Sequence, residues 1–420
     1  MTSLPEGAQA VALIADDLTG AMDSGLQFAQ QGLDAVVMME RGATVAARTL
    51  VYTTESRELP PSQAVRRLQE LLPLVGERLI YKKIDSTLRG NVGYELRVLA
   101  VLAAVRAIVV APAFPQGGRT TLGGVQLVHD RPLALTEFRD DPRWPMRESH
   151  VPTLLMQQAG MEVGLVEHSI VAQGAQAVAS ELRRQAARIV VVDAASDADL
   201  AHIAQALHTL GPRWVPCGSA GLARPWAALL AEDVEPVTPE SWPPLDRPAL
   251  FVCGSRNPAT LRQVEHLAAA GEPRIMLDAL GSYDEDREAT RLAGAVCEAL
   301  GQGRDTLLEA STAPLLPGGG PRITRILARA ALAAAQQQLL GGLFMTGGDV
   351  AIALCQQLGV RALRILAQIQ PGLPGAQLIG GLCDGLPAAT KAGGFGTDDA
   401  LLDVQRWFAQ VRQRDQRETV

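Results

Sequence analysis

The sequence predicts an α/β protein of two three-layer α/β domains with mostly parallel sheets, and three observations predict it. Short apolar runs alternate with longer helical patterns along the whole chain. The runs are continuously apolar, as in strands buried on both faces by helices, and do not alternate as in a half-solvated sheet. The pattern is interrupted near residues 232–248, where proline and acidic residues replace it, and then it resumes. A chain of 420 residues has room for two or three domains at about 150 residues each.

In chain order, residues 11–15, 35–39, 50–52, 79–81, 107–111 and 189–193 read as strands, and 22–31, 61–72, 94–104 and 175–186 as helices. Residues 1–231 form the first domain. Residues 232–248 have no apolar period and read as a semi-rigid linker. Residues 249–420 form the second domain, with strands at 249–253, 274–278, 343–345 and 377–379. Residues 311–321, with three prolines and three consecutive glycines, read as a loop. Two lobes with a cleft between them suit a reaction that joins two substrates.

Composition narrows the function. Hydrophobic residues are 47% and charged residues 20%, enough for a full core. Aromatics are 4% and the net charge is −7, so there is neither a stacking platform nor a basic field for nucleic acid or anionic lipid. An anionic ligand must then be held by a local cluster of Lys, Arg and backbone N–H groups. Cys217, Cys253, Cys297, Cys355 and Cys383 are odd in number and widely spaced, which fits free thiols in a reducing compartment. No segment reaches the roughly 20 apolar residues of a membrane span, and the N-terminus lacks a signal-peptide pattern. A cytoplasmic location is the expectation.

Polar strings follow the strands of the first domain. The first strand runs into Asp16-Asp17-Leu18-Thr19-Gly20; two adjacent carboxylates there suit a polar ligand or a metal, and equally a helix N-cap. Thr54-Glu55-Ser56-Arg57 offers a guanidinium able to clamp a carboxylate, or one simply solvated. Lys82-Lys83-Ile84-Asp85-Ser86-Thr87-Leu88-Arg89-Gly90-Asn91 packs cations, hydroxyls and an acid into one string, as an anionic polyhydroxy ligand requires. Pro112-Ala113-Phe114-Pro115-Gln116-Gly117-Gly118-Arg119-Thr120-Thr121 ends a fourth strand; its prolines fix the loop and its glycines let backbone approach a ligand, so that four strand-end loops form one site, or it is simply a rigid turn. In the second domain, Gly254-Ser255-Arg256-Asn257-Pro258 predicts a helix capped by Asn257, with phosphate-binding potential at its N-terminus. Thr346-Gly347-Gly348-Asp349-Val350 repeats the strand–glycine–helix arrangement, and Lys391-Ala392-Gly393-Gly394-Phe395-Gly396 is a third glycine segment. There is no Walker A string, no G-x-G-x-x-G after the first strand and no G-x-S-x-G elbow.

Together these strings resemble the four-carbon acid sugar kinase family, over nearly the whole chain. The resemblance implies two α/β domains, the first holding a sugar acid and the second ATP. It places Asp17, Arg57, Lys83, Asp85 and Ser86 on sugar-acid positions, and Ser255, Gly347, Gly348, Asp349, Val350 and Gly393 on nucleotide positions. It implies ATP and Mg²⁺ and phosphorylation of a tetronate at its terminal hydroxyl, D-threonate first and D-erythronate next. Asp349, Asp85 and Asp17 stand as alternative proton acceptors, and metal ligands stay open. Val350 stands where the family often has threonine, and Gly394 where asparagine is common. The implied partners are the sugar acid and ATP, with no nucleic acid and no membrane, and a homo-oligomer as an option. A sugar-acid dehydrogenase or aldolase, or a sugar-acid binding protein, would fit the first domain but not the glycine-rich second.

Overall fold

The computed structural model describes residues 10–141, 143–231, 247–278, 282, 284–313 and 319–418. The chain forms two compact units, Met1–Ala35 with Ala46–Pro236, and Val36–Val45 with Val237–Val420. The linker read at 232–248 lies outside the described residues except for Arg247 and Pro248.

In the first unit the strands lie in the order Thr49–Thr53, Val11–Ala15, Leu79–Lys83, Trp214–Gly218, Ala107–Ala111, Ile189–Val192 and Val163–Val166. All of their pairings are parallel. Helices Pro61–Val75, Val92–Leu102 and Val151–Ala159 pack with one another, and helices Leu18–Ala29, Ala220–Leu230, Asp197–Leu210 and Ala175–Arg184 form a second packed series. These two layers sandwich the sheet, so Val11–Ala15 and Ala107–Ala111 are wholly buried. That is why their sequences run Val-Ala-Leu-Ile-Ala and Ala-Ile-Val-Val-Ala with no polar alternation. The helix after Val11–Ala15 belongs to one layer and the helix after Leu79–Lys83 to the other. The adjacent carboxyl ends of these strands therefore diverge, leaving the crevice in which open α/β sheets bind ligands.

Residues 119–121, read from sequence as part of a rigid turn, lie instead in the strand Arg119–Leu122 of a small antiparallel sheet with Val125–Val128 and Arg131–Pro132. This sheet is fastened to the parallel one where Thr121 and Ala194 exchange N–H···O bonds of 2.8 and 3.0 Å. The buried Asp193 accepts the N–H groups of Gly123, Gly124 and His168.

In the second unit the order is Arg274–Met276, Thr306–Glu309, Ala249–Cys253, Gly342–Thr346, Pro387–Lys391, Leu373–Ile379 and Ala362–Gln370. The pairings are parallel up to Pro387–Lys391 and antiparallel beyond it. Val36–Val45 belongs to this unit although it is flanked by the first: the N–H groups of Met39 and Glu40 donate to the Arg361 carbonyl at 2.9 and 3.1 Å. The core gathers Phe251, Phe344 and Phe408 with Leu401 and Val404, and Phe251 meets Phe408 edge-on at 6.0 Å. The loop read at 311–321 is shorter than expected. Residues 314–318 lie outside the described residues, while Gly320 and Pro321 already open the helix Gly320–Gln336, whose first turn accommodates a proline.

Candidate active site

Strand Val11–Ala15 ends on Asp16 and Asp17. Asp17 caps helix Leu18–Ala29, its Oδ1 accepting the Gly20 N–H at 2.8 Å. The chain after Thr49–Thr53 lies across the same strand end, with the Ser56 N–H donating to the Asp16 carbonyl at 2.9 Å. This delivers Arg57 to both carboxylates. Its Nε and Nη2 donate to Asp16 at 2.8 Å each, and its Nη1 and Nη2 to Asp17 at 2.6 and 2.8 Å. Four of five guanidinium protons are thus committed within the protein. In this arrangement Arg57 clamps two aspartates.

Shared use of one cation separates the aspartates. Burial works to raise Asp16, but Arg57, with Lys82 and Lys83, holds it below the ordinary carboxylate range. Burial also raises Asp17; there the Asp16 charge adds to it, and Arg57 and Lys83 do not fully compensate, so Asp17 lies above its ordinary value. Environments that push two neighbouring carboxylates apart in this way are the arrangement from which acid–base chemistry draws a fixed charge and a proton acceptor.

Lys82 and Lys83, read as the start of a loop, complete the strand Leu79–Lys83. They point to different fates. Lys82 is buried and pairs with buried Glu95 at 2.8 Å, while the Ser56 hydroxyl donates to the same Glu95. The Lys83 ammonium makes no hydrogen bond or ion pair among the described residues, while its carbonyl accepts Lys82 Nζ at 3.0 Å. Its Nζ lies so near the Gly20–Asp17 turn that a Cβ on Gly20 would come within 2.8 Å of it. Asp23, one turn further along the helix, is held above its ordinary value by burial, with Lys83 opposing.

Asp85 differs from Asp17. It accepts Arg89 Nε at 2.8 Å, Arg89 Nη2 at 3.2 Å and the Thr87 hydroxyl at 2.5 Å. Burial pushes its pKa up, yet Arg89, Arg57 and Lys83 outweigh burial and hold it far below the carboxylate range. A carboxylate so stabilised is a poor base. In this arrangement Asp85 is the charged acceptor to which Arg89 and Thr87 fasten the loop. Ser86 follows, its carbonyl accepting Gln126 Nε2 at 2.7 Å. Asn91 ties the strings together, donating to the carbonyls of Ser56 and Leu59 at 2.9 Å each. Gly90, at φ +100°, is required by close packing: a Cβ there would stand 3.0 Å from Asp16 Oδ2.

The second unit assembles another site from adjacent strand ends. Gly254 donates to the Thr346 carbonyl at 3.1 Å, bringing Ser255 beside Gly347. Asn257 caps helix Pro258–Ala269 through the Ala259 N–H, as the sequence predicts. Gly347, at φ +99°, leads into helix Gly348–Leu358, with Asp349 exposed on its first turn and Val350 buried against Gly254. At Gly393 a Cβ would collide with the Ser255 hydroxyl. The loop carrying Gly393 is pinned to the capped helix: Thr260 Oγ1 donates to the Gly393 carbonyl at 2.8 Å, and Gln263 Nε2 reaches the carbonyls of Phe395, Gly396 and Thr397. Lys391 is buried, donates to Thr260 Oγ1 and the carbonyls of Ala392 and Gly393, and is pushed down to about 8 by burial. Such glycine-lined N–H cradles at helix N-termini bind phosphate. Sequence reading missed Glu95, Thr260 and Gln263. Their signal was a polar residue on the apolar face of a helical pattern, since Thr260 and Gln263 are wholly buried.

The family described as "Sugar-binding N-terminal domain" matches residues 11–226, and the one described as "Nucleotide-binding C-terminal domain" matches residues 250–401. The chain is 35% identical to a D-threonate kinase of Bordetella bronchiseptica, covering 97% of this chain and 99% of that one. It is 34% identical to a D-threonate kinase of Salmonella typhimurium, covering 95% and 98%. A Haemophilus influenzae protein of known crystal structure superposes with a TM-score of 0.76 at 25% identity, over 94% of this chain and 100% of that one.

Proposed function

We propose that this chain, which belongs to the four-carbon acid sugar kinase family, transfers the terminal phosphoryl group of ATP to the 4-hydroxyl of a tetronate, with D-threonate as the preferred acceptor. The observation that carries the reading is the divided aspartate couple. Asp17, raised above its ordinary value, stands at the sheet's switch point beside the unpaired Lys83, in a chain similar end to end to two enzymes named D-threonate kinase.

In this mechanism Asp17 takes the proton of the 4-hydroxyl. The freed oxygen forms a bond to the γ-phosphorus, the bond from that phosphorus to the β-bridging oxygen breaks, and ADP leaves. Arg57 fixes the orientation of Asp17, and Asp16 stays ionised to hold Arg57. Lys83 offsets negative charge as the attacking oxygen and the phosphoryl group meet, which is most of what phosphoryl transfer asks of a protein. Ser86 and Asp85 orient the remaining hydroxyls. The ATP phosphates rest on the N–H groups of Gly347 and Gly348 and on the turns at Ser255 and Gly393. No group of three or more His, Cys, Asp or Glu side chains fit to hold a metal occurs among the described residues. Mg²⁺ would be carried on the nucleotide phosphates with one or two protein carboxylates, of which Asp349 is the candidate. Mg²⁺ supplies charge neutralisation of the phosphates. Dependence on ATP supports a cytoplasmic location for the enzyme. No described helix is long and apolar enough to cross a membrane.

The test is ADP release with Mg²⁺ across a panel of four-carbon acids, with NAD(P) reduction as control. D-threonate should give the highest kcat/KM, ahead of D-erythronate. Absence of stimulation by every tetronate would overturn the reading.

A further inference from the structure

Besides Arg67, which donates to the Thr54 and Glu55 carbonyls, five cations gather at the carboxyl ends of the first unit's strands, and four have an evident place. Arg57 is spent on Asp16 and Asp17, Lys82 on Glu95, and Arg89 on Asp85 and Asp141. Lys83 lies at the Asp17 turn, where the acceptor hydroxyl is activated. The fifth, Arg119, has no carboxylate partner among the described residues. Its one side-chain bond goes from Nη1 to the carbonyl of Gly117 in its own turn, and its Nε is buried with no acceptor. Leaving a half-buried guanidinium donor unmatched is costly, so this one calls for an acceptor from outside the chain, a water or a ligand.

The mounting of Arg119 is rigid. Its backbone exchanges hydrogen bonds of 2.8 and 3.0 Å with Phe114, closing the turn that Pro115 begins. It opens the strand Arg119–Leu122, which also carries Thr121. The Thr121 hydroxyl donates to Gln126 Oε1 at 2.7 Å, and Gln126 Nε2 donates to the Ser86 carbonyl at 2.7 Å. The small sheet is thereby docked onto the Asp85–Ser86 loop, and Arg119 lies within electrostatic reach of Asp85 and Arg89. Burial, with the Arg89 charge adding to it, pulls the guanidinium below its ordinary pKa, and Asp85 and Glu137 only partly oppose.

We infer that Arg119 binds the carboxylate of the sugar acid, and so is the residue by which the enzyme selects an acid over a neutral polyol. The inference rests on the reading of the first unit as the tetronate site. A tetronate carries its carboxylate and its 4-hydroxyl at opposite ends of the carbon chain. With the hydroxyl end at Asp17 and Lys83, the acid end needs a separate cation, and Arg57 cannot supply it while it clamps two aspartates. A guanidinium mounted on a rigid strand presents two parallel donors that match a carboxylate, which a lysine cannot reproduce.

The experiment compares wild type, Arg119→Gln and Arg119→Lys for the KM of D-threonate, the KM of ATP, the melting temperature and the competitive inhibition constant of threitol, the neutral four-carbon polyol. Arg119→Gln should raise the D-threonate KM by about 10- to 100-fold while leaving ATP, threitol and melting temperature unchanged. Arg119→Lys should recover only part of the acid preference. A wild-type D-threonate KM in Arg119→Gln, or equal weakening of acid and polyol, overturns the inference. Should the glutamine variant fail to fold, an unchanged acid-to-polyol ratio in Arg119→Lys overturns it instead. A wild type that turns over no tetronate at all would remove the proposed function itself, a separate outcome.

Discussion

In the first unit the polar strand ends are built of charge; in the second they are built of glycine. Asp16, Asp17, Asp85, Arg57, Lys83 and Arg89 crowd three neighbouring loops, and most of these charges are already neutralised by one another. The second unit presents Gly254, Gly347, Gly348 and Gly393 around Ser255, and its one buried cation there, Lys391, donates only to neutral oxygens. The contrast follows from what each must hold. A small acid with several hydroxyls is recognised by acceptors and donors at fixed positions, and carboxylates can be fixed away from water only by paired cations. A phosphate chain is held by backbone N–H groups, which glycine exposes and any side chain would cover.

The sharpest way to break this comparison is Asp17→Asn. If the first unit supplies the base, kcat should fall on the order of 10²–10⁴ with the fold intact. Asp349→Asn should cost much less. The reverse ranking in steady-state kinetics would move the chemistry to the second unit. Next in size is the support beneath the charged loops. Lys82→Met leaves Glu95 buried without its cation and should destabilise the protein by about 3–5 kcal/mol in urea unfolding. Lys391→Met strands no carboxylate and should cost less, roughly 1–3 kcal/mol. Equal costs would show that the second unit also depends on hidden ion pairing.

Asp85→Asn sharpens the contrast inside the first unit. It removes charge-assisted bonds to Arg89 worth about 1.5–3 kcal/mol at neutral pH, with turnover changed less than in Asp17→Asn. Asp85 has a folded pKa depressed below its unfolded value near 3.8. Its stabilisation is therefore present above about pH 4 and is lost as pH falls toward the folded value. Wild type should lose stability between pH 5 and pH 3 more steeply than Asp85→Asn. Parallel pH profiles would deny Asp85 its clamp role.

Much of this was legible in the sequence. Strands such as Val11–Ala15 and Ala249–Cys253 announced themselves because burial on both faces forbids polar interruption. Trp214–Gly218 did not, since Pro216 argues against a central strand, and Thr306–Glu309 and Pro387–Lys391 hid behind terminal charges that the fold buries. The candidate site residues of the first unit were legible because they crowd a few short strings. How their charges divide was not. Glu95 lies in the helix after its partner's strand and is chosen by packing, and the commitment of Arg57 to two aspartates depends on a loop laid across a neighbouring strand. Nor could spacing show that Asp17 is pushed above and Asp85 below the ordinary carboxylate range, because the difference arises from which cations reach each carboxylate in space.

The smallest effect expected is Gly347→Ala, which tests the glycine half alone. Gly347 sits at φ +99°. With ψ at 117° it lies outside the left-handed helical well, in a region where alanine is strained by roughly 1–3 kcal/mol, so the melting temperature should fall. The added Cβ would stand 3.5 Å from the Ser255 backbone nitrogen, an ordinary contact, so the cost comes from the backbone and not from a clash. A chain that relieves the strain by turning its peptide planes withdraws N–H groups from the phosphates at the N-terminus of helix Gly348–Leu358. The KM for ATP should then rise by about ten-fold, the equivalent of one to two kcal/mol, while the KM for D-threonate holds. Kinetics with each substrate varied in turn decide the matter. A D-threonate KM that rises while ATP is spared would exchange the roles of the two units.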